Sequence, residues 1–329
     1  MTTARRPGGP GGLVIVDKPG GMTSHDVVAR IRRMAGTRRV GHAGTLDPMA
    51  TGVLVVGVGK ATRLLGHLGL ADKEYLATIR LGQATDTDDA GGAVIASDSA
   101  AGVFEDAVRA AIVPLTGEIQ QVPPGISAIK VDGKRAYRLT REGAAPELRA
   151  RPVTVAAFEI TGIRRNGDLL DVDAAVTCSS GTYVRALARD LGAALGVGGH
   201  LTTLRRVRSG PYRIETAQTL DELAAHFTVT PLADAAAAAF PRLDLTEEQA
   251  RKVAHGVRLP AASLGAGPAA GLGDRAAGDP ADDRDAGRDA GPVTGLSDGP
   301  AAVFGPDGML LALMREEGGQ ARSLAVFVP

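Results

Sequence analysis

The stretch GHAGTLDPMATGVLVVGV, residues 41–58, joins an irregular turn to an apolar strand. Its first part contains three glycines, one proline and a single acid, Asp47, a composition typical of a turn that presents one carboxylate to a cleft. The neighbouring acids, Asp26 and Asp72, lie more than twenty residues away, so there is no second local carboxylate for the two-acid arrangement of a glycoside hydrolase. We therefore predict that Asp47 is the catalytic residue.

The segment GHAGTLDP, followed by ATGVL, resembles the second motif of the TruB-type pseudouridine synthases. These enzymes isomerise uridine to pseudouridine in the T-loop of tRNA, at position 55. Taken alone, the segment is also compatible with a glycine-rich turn that cradles phosphate. The resemblance implies an α+β fold of the pseudouridine synthase type, in which helices flank a mixed, largely antiparallel sheet and a small β-rich PUA-like domain follows at the C-terminus.

Six further stretches resemble motifs of the same family and extend the resemblance to about residue 241. They are KPGGMTSHDVV at 18–28, KEY at 73–75, LGQATDTDDAG at 81–91, PPGISAIKVDGKRAY at 123–137, CSSGTYVRALARDLG at 178–192 and HLTTLRR at 200–206. Two of them also have ordinary structural explanations, because 18–28 is a sound capped strand–turn–helix and 123–151 is compatible with a solvated loop.

The resemblance implies roles for individual residues around Asp47. Arg185 matches the arginine that pairs with the catalytic aspartate, and His42 is expected to enter the space that the flipped nucleotide leaves. Tyr75 matches a tyrosine that stacks against the target base and is a candidate general base, although an aromatic core residue would explain it as well. Three side chains are expected to line the uracil pocket: Tyr75, Tyr183 and Leu204. Three basic residues are expected to bind the substrate elsewhere: Lys18, Lys130 and Arg141.

The composition excludes several classes of site. Cys178 is the only cysteine, which rules out an internal disulfide and any cysteine-rich metal site. No two of the six histidines have metal-ligand spacing such as H-x-x-x-H, so we predict no metal and no cofactor. No apolar run approaches the ~18 residues of a membrane span, and we expect a cytoplasmic monomer that needs no obligatory protein partner.

Basic residues are concentrated in particular parts of the chain, although the formal net charge is zero. Residues 1–70 hold ten Lys and Arg side chains against three acids, whereas 265–300 hold seven Asp against three Arg. Local basic surface attracts a polyanion, since charges are screened beyond about 8–10 Å. This distribution favours tRNA, through its T-stem-loop and elbow, as the partner.

The 329 residues exceed the ~250–300 at which one core usually stops growing, which favours one large and one small domain. We predict a disordered tail at 1–12 and a catalytic domain at 13–241, within which 123–151 is a mobile RNA-binding loop. A PUA-like RNA-binding domain is predicted at 242–329. Its Gly-, Ala- and Asp-rich insert at about 265–300 is expected to be disordered.

Local patterns predict individual elements. Strands are expected at 13–16, 73–82, 301–304, 309–314 and 323–328, a hairpin about Asn166-Gly167, and helices beginning at Thr23 or Ser24, at Phe104, at Thr182 and at Thr246. GVGKAT at 57–62 is not a P-loop, because Leu54 and Ala61 occupy positions where that motif needs Gly and Ser or Thr.

Two alternative functions remain open from the sequence. The chain is compatible with an RNA-guided pseudouridine synthase that works inside a ribonucleoprotein, or with a non-catalytic protein that binds or folds tRNA. The combination of Asp47, Tyr75 and Arg185 argues against the non-catalytic alternative.

Overall fold

The structure of the protein is a computed structural model that describes residues 11–125, 148–265, 296 and 299–328, and the backbone of 130–131 and 134–135. The strands are β1 (Gly12–Lys18), β2 (Val40–Ala43), β3 (Thr51–Val58), β4 (Lys73–Leu81), β5 (Gln83–Thr85), β6 (Val94–Ser97), β7 (Gly117–Gln121), β8 (Lys130–Val131), β9 (Lys134–Arg135), β10 (Arg151–Asn166), β11 (Leu169–Cys178), β12 (Gly199–Ser209), β13 (Tyr212–Arg213), β14 (Thr230–Pro231), β15 (Arg242–Asp244), β16 (Leu259–Pro260), β17 (Ala301–Phe304), β18 (Leu310–Glu317) and β19 (Gln320–Val326). The α-helices are α1 (Ser24–Ala35), α2 (Leu65–Leu68), α3 (Glu105–Ile112), α4 (Val184–Ala194), α5 (Leu220–Ala225), α6 (Leu232–Ala239) and α7 (Glu247–Ala254).

The larger sheet has ten strands in the order β14-β1-β3-β12-β4-β11-β10-β7, with β2 also paired to β3 and β13 to β12. Every described pair in it is antiparallel except β3 with β12. This is the predicted mixed, largely antiparallel sheet, and the α+β fold class is confirmed.

Strand β4 shows how the sequence positions the sheet. Its side chains alternate between the two faces, as the pleat requires, and Tyr75, Ala77, Ile79 and Leu81 share one buried face. Helix α1 begins after Thr23, whose side chain accepts a hydrogen bond from the Asp26 backbone N–H, while the Asp26 carboxylate accepts one from the Thr23 backbone N–H.

Several boundaries differ from those predicted. Helix α4 begins at Val184 with Tyr183 as its N-cap, and not at Thr182. The predicted helix from Phe104 begins at Glu105, and its last turn, 113–115, is a 3₁₀ turn that contains a proline. In the β10–β11 hairpin Asn166 pairs with Leu169, so the two-residue turn is 167–168 and its glycine takes the left-handed conformation, φ 61°.

The smaller sheet has five strands in the order β15-β17-β18-β19-β16. It packs on the larger sheet through one shared hydrophobic cluster, which includes Leu13 and Val55 from the first and Phe304, Leu313 and Phe327 from the second. The side chain of Lys60 also donates to the Phe327 carbonyl (3.0 Å). The two sheets therefore pack against each other through a common hydrophobic core.

Most of the predicted tail (1–12), of the predicted mobile loop (123–151) and of the predicted acidic insert (265–300) lies outside the described residues. In the part of the chain that is described, no helix is long and apolar enough to cross a membrane.

Candidate active site

A cleft of about 250 Å³ opens where the β2–β3 loop, strand β4, strand β12 and the start of α4 meet. Its lining includes Asp47, Lys73, Tyr75, Tyr183, Arg185 and Leu204. Four distant stretches of sequence are thus brought to one place by the sheet order.

The loop that carries Asp47 is fixed to the beginning of α1. The buried Ser24 hydroxyl accepts from the Leu46 backbone N–H (3.0 Å) and donates to the Leu46 carbonyl (3.1 Å), while the N–H of Gly21 donates to the Pro48 carbonyl (2.8 Å). These bonds bracket Asp47 on both sides. The TSHD part of the first motif therefore supports the loop as well as capping a helix.

Lys18 lies beneath the loop and not in the open cleft. Its side chain is fully buried, and its ammonium group donates to the carbonyls of Pro19 (2.9 Å), Met22 (2.7 Å) and Pro48 (3.3 Å). Burial lowers the pKa of Lys18 to about 8, although the Asp47 carboxylate opposes that shift. This placement differs from the predicted substrate contact, because the described side chain presents no surface to a ligand.

Arg206 supports the same loop from the other side, and the sequence did not single it out. Its fully buried guanidinium donates to the carbonyls of Val53 (2.7 Å) and Gly44 (2.8 Å). The backbone of Gly52, at φ 97°, lies so close that a Cβ there would be 2.9 Å from Arg206 N. Only glycine fits this crossing of β3 and β12.

Asp47 and Arg185 form a two-point ion pair. Arg185 Nε lies 2.9 Å from Asp47 Oδ2, and Arg185 Nη2 donates to Asp47 Oδ1 over 3.1 Å. The Arg185 side chain is 4% exposed whereas that of Asp47 is 34% exposed, so the arginine is the buried support and the carboxylate faces the cleft. The structure brings this predicted pair together.

A second loop holds the far side of the arginine. Arg185 Nη1 donates to the Thr87 carbonyl (2.8 Å) and lies 3.6 Å from Asp89 Oδ2. The guanidinium is therefore fixed on two sides before any substrate arrives. The LGQATDTDDAG resemblance marks this loop, but pairing with Arg185 was not predicted.

The walls of the cleft are formed by Tyr75, Leu204 and Tyr183. Tyr75 and Leu204 are almost fully buried, and Tyr75 lies opposite Arg206 in the β4–β12 ladder. Burial raises the pKa of the Tyr75 phenol, which keeps the hydroxyl protonated at neutral pH. Tyr183 enters from the N-terminus of α4.

His42 lies on β2, next to the loop. Its ring meets that of His25 edge-on, with centroids 5.5 Å apart, and its buried Nδ1 has no hydrogen-bond partner among the described residues. Burial lowers the pKa of His42 to about 4, helped by the nearby charges of His25 and Arg206. The imidazole is therefore neutral at physiological pH.

Two predicted substrate contacts, Lys130 and Arg141, have side chains that lie outside the described residues. Arg141 lies outside them, and of Lys130 only the backbone, in β8, is described. Two polar residues that the sequence did not single out also belong to this region: Lys73 in the cleft lining and Gln121 beside Tyr183. Lys73 lines the cleft and donates to the carbonyls of Gly69 (3.0 Å) and Ala71 (2.6 Å), and burial lowers its pKa to about 8. Gln121 contacts the backbone of Tyr183.

A metal site was not predicted, and across the described stretches of chain no three His, Cys, Asp or Glu side chains are gathered as metal ligands.

Family models match most of the chain. The TruB family pseudouridylate synthase N-terminal domain matches residues 32–184, the tRNA pseudouridylate synthase B C-terminal domain matches 185–238, and the tRNA pseudouridine synthase II C-terminal model matches 281–328. The tRNA pseudouridine synthase B of Thermobifida fusca (strain YX) is 57% identical over 320 residues, which cover 96% of this chain and 98% of the relative. The chain belongs to the TruB family.

A second relative and two solved structures extend this result. The tRNA pseudouridine synthase B of Arthrobacter sp. (strain FB24) is 53% identical and covers 97% of each chain. A Cbf5-Nop10-Gar1 complex contains a similar chain (TM-score 0.68, 28% identity, 97% of this chain and 85% of that one). An H/ACA RNP bound to a substrate RNA containing 2′-deoxyuridine contains another (TM-score 0.66, 26% identity, 97% and 85%). The resemblance and the pseudouridine synthase fold are thereby confirmed.

Proposed function

We propose that this protein is a tRNA pseudouridine synthase that isomerises uridine in the T-loop, at position 55. The observation that carries the proposal is the Asp47 carboxylate, held by Arg185 at two points and facing a cleft with an aromatic wall. The names of relatives that cover nearly the whole chain support tRNA as the substrate class.

The reaction exchanges one glycosidic bond for another without redox change. The N1–C1′ bond of the uridine breaks, the uracil turns, and C5 bonds to C1′ while its proton is released and N1 takes one up. Asp47 takes part in these reaction steps either by attacking C1′ or by accepting the 2′ proton and later returning it. Both routes need an ionised carboxylate with a fixed direction, which is what the Arg185 pair provides.

The target base must leave its stack before it reaches Asp47, at a cost of roughly a few kcal/mol. In our proposal the neutral His42 ring enters the vacated space, and Tyr75, Tyr183 and Leu204 enclose the flipped uracil. The hydrophobic side chain of Leu204 and the ring of Tyr75 supply the dry surface on which a base stacks. Lys18 and Arg206 act indirectly, by holding the loop.

We further propose that residues 13–241 form the catalytic domain and that 242–329, PUA-like in character, contact the RNA. The protein would then act as a cytoplasmic monomer on the tRNA elbow. The Lys130 and Arg141 side chains are proposed to contribute phosphate contacts there. Recognition would depend on loop shape and backbone more than on long sequence.

The similar chain in an H/ACA RNP bound to a substrate RNA makes an RNA-guided synthase the second candidate. Incubating the purified chain with unmodified tRNA, with no guide RNA or second protein, separates the candidates. Pseudouridine at position 55 alone is the expected result. Activity that appears only when a guide RNA is added would favour the second candidate, and binding without pseudouridine would favour a non-catalytic role.

A further inference from the structure

Gln121, the last residue of β7, makes an uncommon pair of hydrogen bonds. Its side-chain Oε1 accepts from the Tyr183 backbone N–H (2.8 Å), and its Nε2 donates to the Tyr183 carbonyl (3.1 Å). The residue is 2% exposed. One side-chain amide thus pairs with both backbone polar groups of a single residue sixty-two positions away, as a neighbouring strand would.

The partner residue begins the helix that carries the arginine. Tyr183 is the N-cap of α4, and its carbonyl also accepts the first helical bonds, from Ala186 (3.1 Å) and Leu187 (3.2 Å). A tyrosine cannot cap its own helix with its side chain as Ser, Thr, Asp or Asn does. The Gln121 side chain instead bonds both backbone polar groups of the residue at which α4 begins.

A second contact ties the same two segments one turn further along. Arg189 donates through Nη2 to the carbonyl of Val122 (2.8 Å) and pairs through Nη1 with Asp88 (3.2 Å). Asp88 belongs to the loop whose Thr87 carbonyl holds Arg185. Hydrogen bonds and ion pairs thus connect three segments around Arg185: the end of β7, the start of α4 and the 87–89 loop.

We propose that Gln121 is a positioning residue, which fixes the Tyr183 backbone and through it the direction of the Arg185 guanidinium at Asp47. This inference rests on the proposed function. Arg185 follows Tyr183 by two residues, so a shift of the helix start is transmitted to its ion-pair contact with Asp47 Oδ2 (2.9 Å) and to its hydrogen bond with Asp47 Oδ1 (3.1 Å). A misplacement of about 1 Å in a catalytic group can slow a reaction by roughly a hundredfold.

The test compares Gln121→Ala with Gln120→Ala, since Gln120 is the neighbouring glutamine on the same strand and is exposed. The rate constant for pseudouridine formation is measured in single turnover with excess enzyme on unmodified tRNA. The tRNA Kd is measured in an Asp47→Asn background, where no turnover occurs. We expect Gln121→Ala to lower the rate constant at least about tenfold with little change in Kd, and Gln120→Ala to behave as wild type.

The variant Gln121→Glu separates positioning from a general loss of structure. A buried carboxylate beside the Tyr183 carbonyl has a raised pKa, and its protonated form can accept from the Tyr183 N–H and donate to the carbonyl as glutamine does. The ratio of its rate constant to that of wild type should therefore rise as pH falls from about 8 to about 5.5.

Three results would overturn the role of Gln121: a wild-type rate constant in Gln121→Ala, an equal loss in Gln120→Ala, or a Gln121→Glu ratio that does not change with pH. An inactive wild-type protein would instead contradict the proposed function. The two failures are thus distinguishable in one set of measurements.

Discussion

Arg185 holds the Asp47 carboxylate itself, while Lys18, Ser24 and Arg206 hold the loop around it through Pro48, Leu46 and Gly44. In Asp47→Asn the loop keeps its hydrogen bonds to these side chains but loses the negative charge that pairs with Arg185. The substitution also removes the carboxylate that attacks C1′ or takes the 2′ proton. We expect pseudouridine formation to fall below detection in single turnover, with tRNA Kd retained, because phosphate contacts come from Lys and Arg elsewhere.

Asp98→Asn is a suitable control, since Asp98 is exposed and outside the cleft. Measurable turnover by Asp47→Asn, once deamidation back to aspartate has been excluded by mass spectrometry, would show that Asp47 is not the catalytic group. Loss of the folded state together with activity would show a turn-forming residue instead.

His42 allows a test by pH. With its pKa lowered to about 4, the ring stays neutral through the range in which a free histidine titrates, about pH 6.5. We expect His42→Ala to slow turnover on folded tRNA but to leave the shape of the pH–rate profile unchanged between about pH 5.5 and 7.5. A limb near pH 6.5 that disappears in His42→Ala would identify a general base and contradict the proposal that His42 only fills the space left by the flipped nucleotide.

The same shift predicts a change in folding stability. The unfolded chain binds a proton at His42 below about pH 6.5, whereas the folded protein does not until about pH 4. The stability contributed by the neutral ring is therefore complete above pH 6.5 and is lost as pH falls towards 4. Chemical denaturation of wild type and His42→Ala across this range measures it, and equal pH dependence in both would contradict the buried, neutral ring.

At the scale of elements, the β2–β3 loop depends on its crossing with β12. Gly52 has φ 97° and its α-carbon lies against the Arg206 backbone, whereas Gly21, at φ 80°, has open space beside it. We expect Gly21→Ala to cost only the backbone strain, about 1–2 kcal/mol of unfolding free energy. Gly52→Ala should cost clearly more and also slow turnover, since it displaces the loop. Equal unfolding free energies for the two variants would contradict this account.

The elements that the sequence predicted are those whose signal is local. Thr23 with Asp26 begins α1, and alternation from Tyr75 to Leu81 specifies β4, because capping and pleating act between near neighbours. The supports of the site join distant residues, such as Ser24 with Leu46 and Gln121 with Tyr183. No periodicity encodes such pairs. The family resemblance supplied Arg185 as the partner of Asp47, but it did not show that Lys18 lies beneath the loop.

At the scale of the whole molecule, the shared cluster makes the smaller sheet part of the support for β1 and β3. Leu13 and Val55 share one hydrophobic cluster with Phe304 and Phe327, and β3 follows directly on the Asp47 loop. Uncovering such residues costs about 25 cal/mol for each Å² of apolar surface. The smaller sheet therefore contributes to the stability of the larger one, which carries the cleft.

Two deletions separate these contributions. Removing 272–292, a Gly-, Ala- and Asp-rich acidic stretch, should leave kcat/KM within about threefold of wild type, because it neither adds apolar surface nor attracts phosphate. Removing 242–329 should lower the Tm and raise KM for tRNA at least roughly tenfold, about 1.4 kcal/mol, while some turnover remains. Thermal unfolding and steady-state kinetics on the same preparations measure both effects. A tenfold loss in the first deletion would give the acidic stretch a role in activity, whereas an unchanged KM in the second would show that the smaller sheet stabilises the protein without contacting RNA.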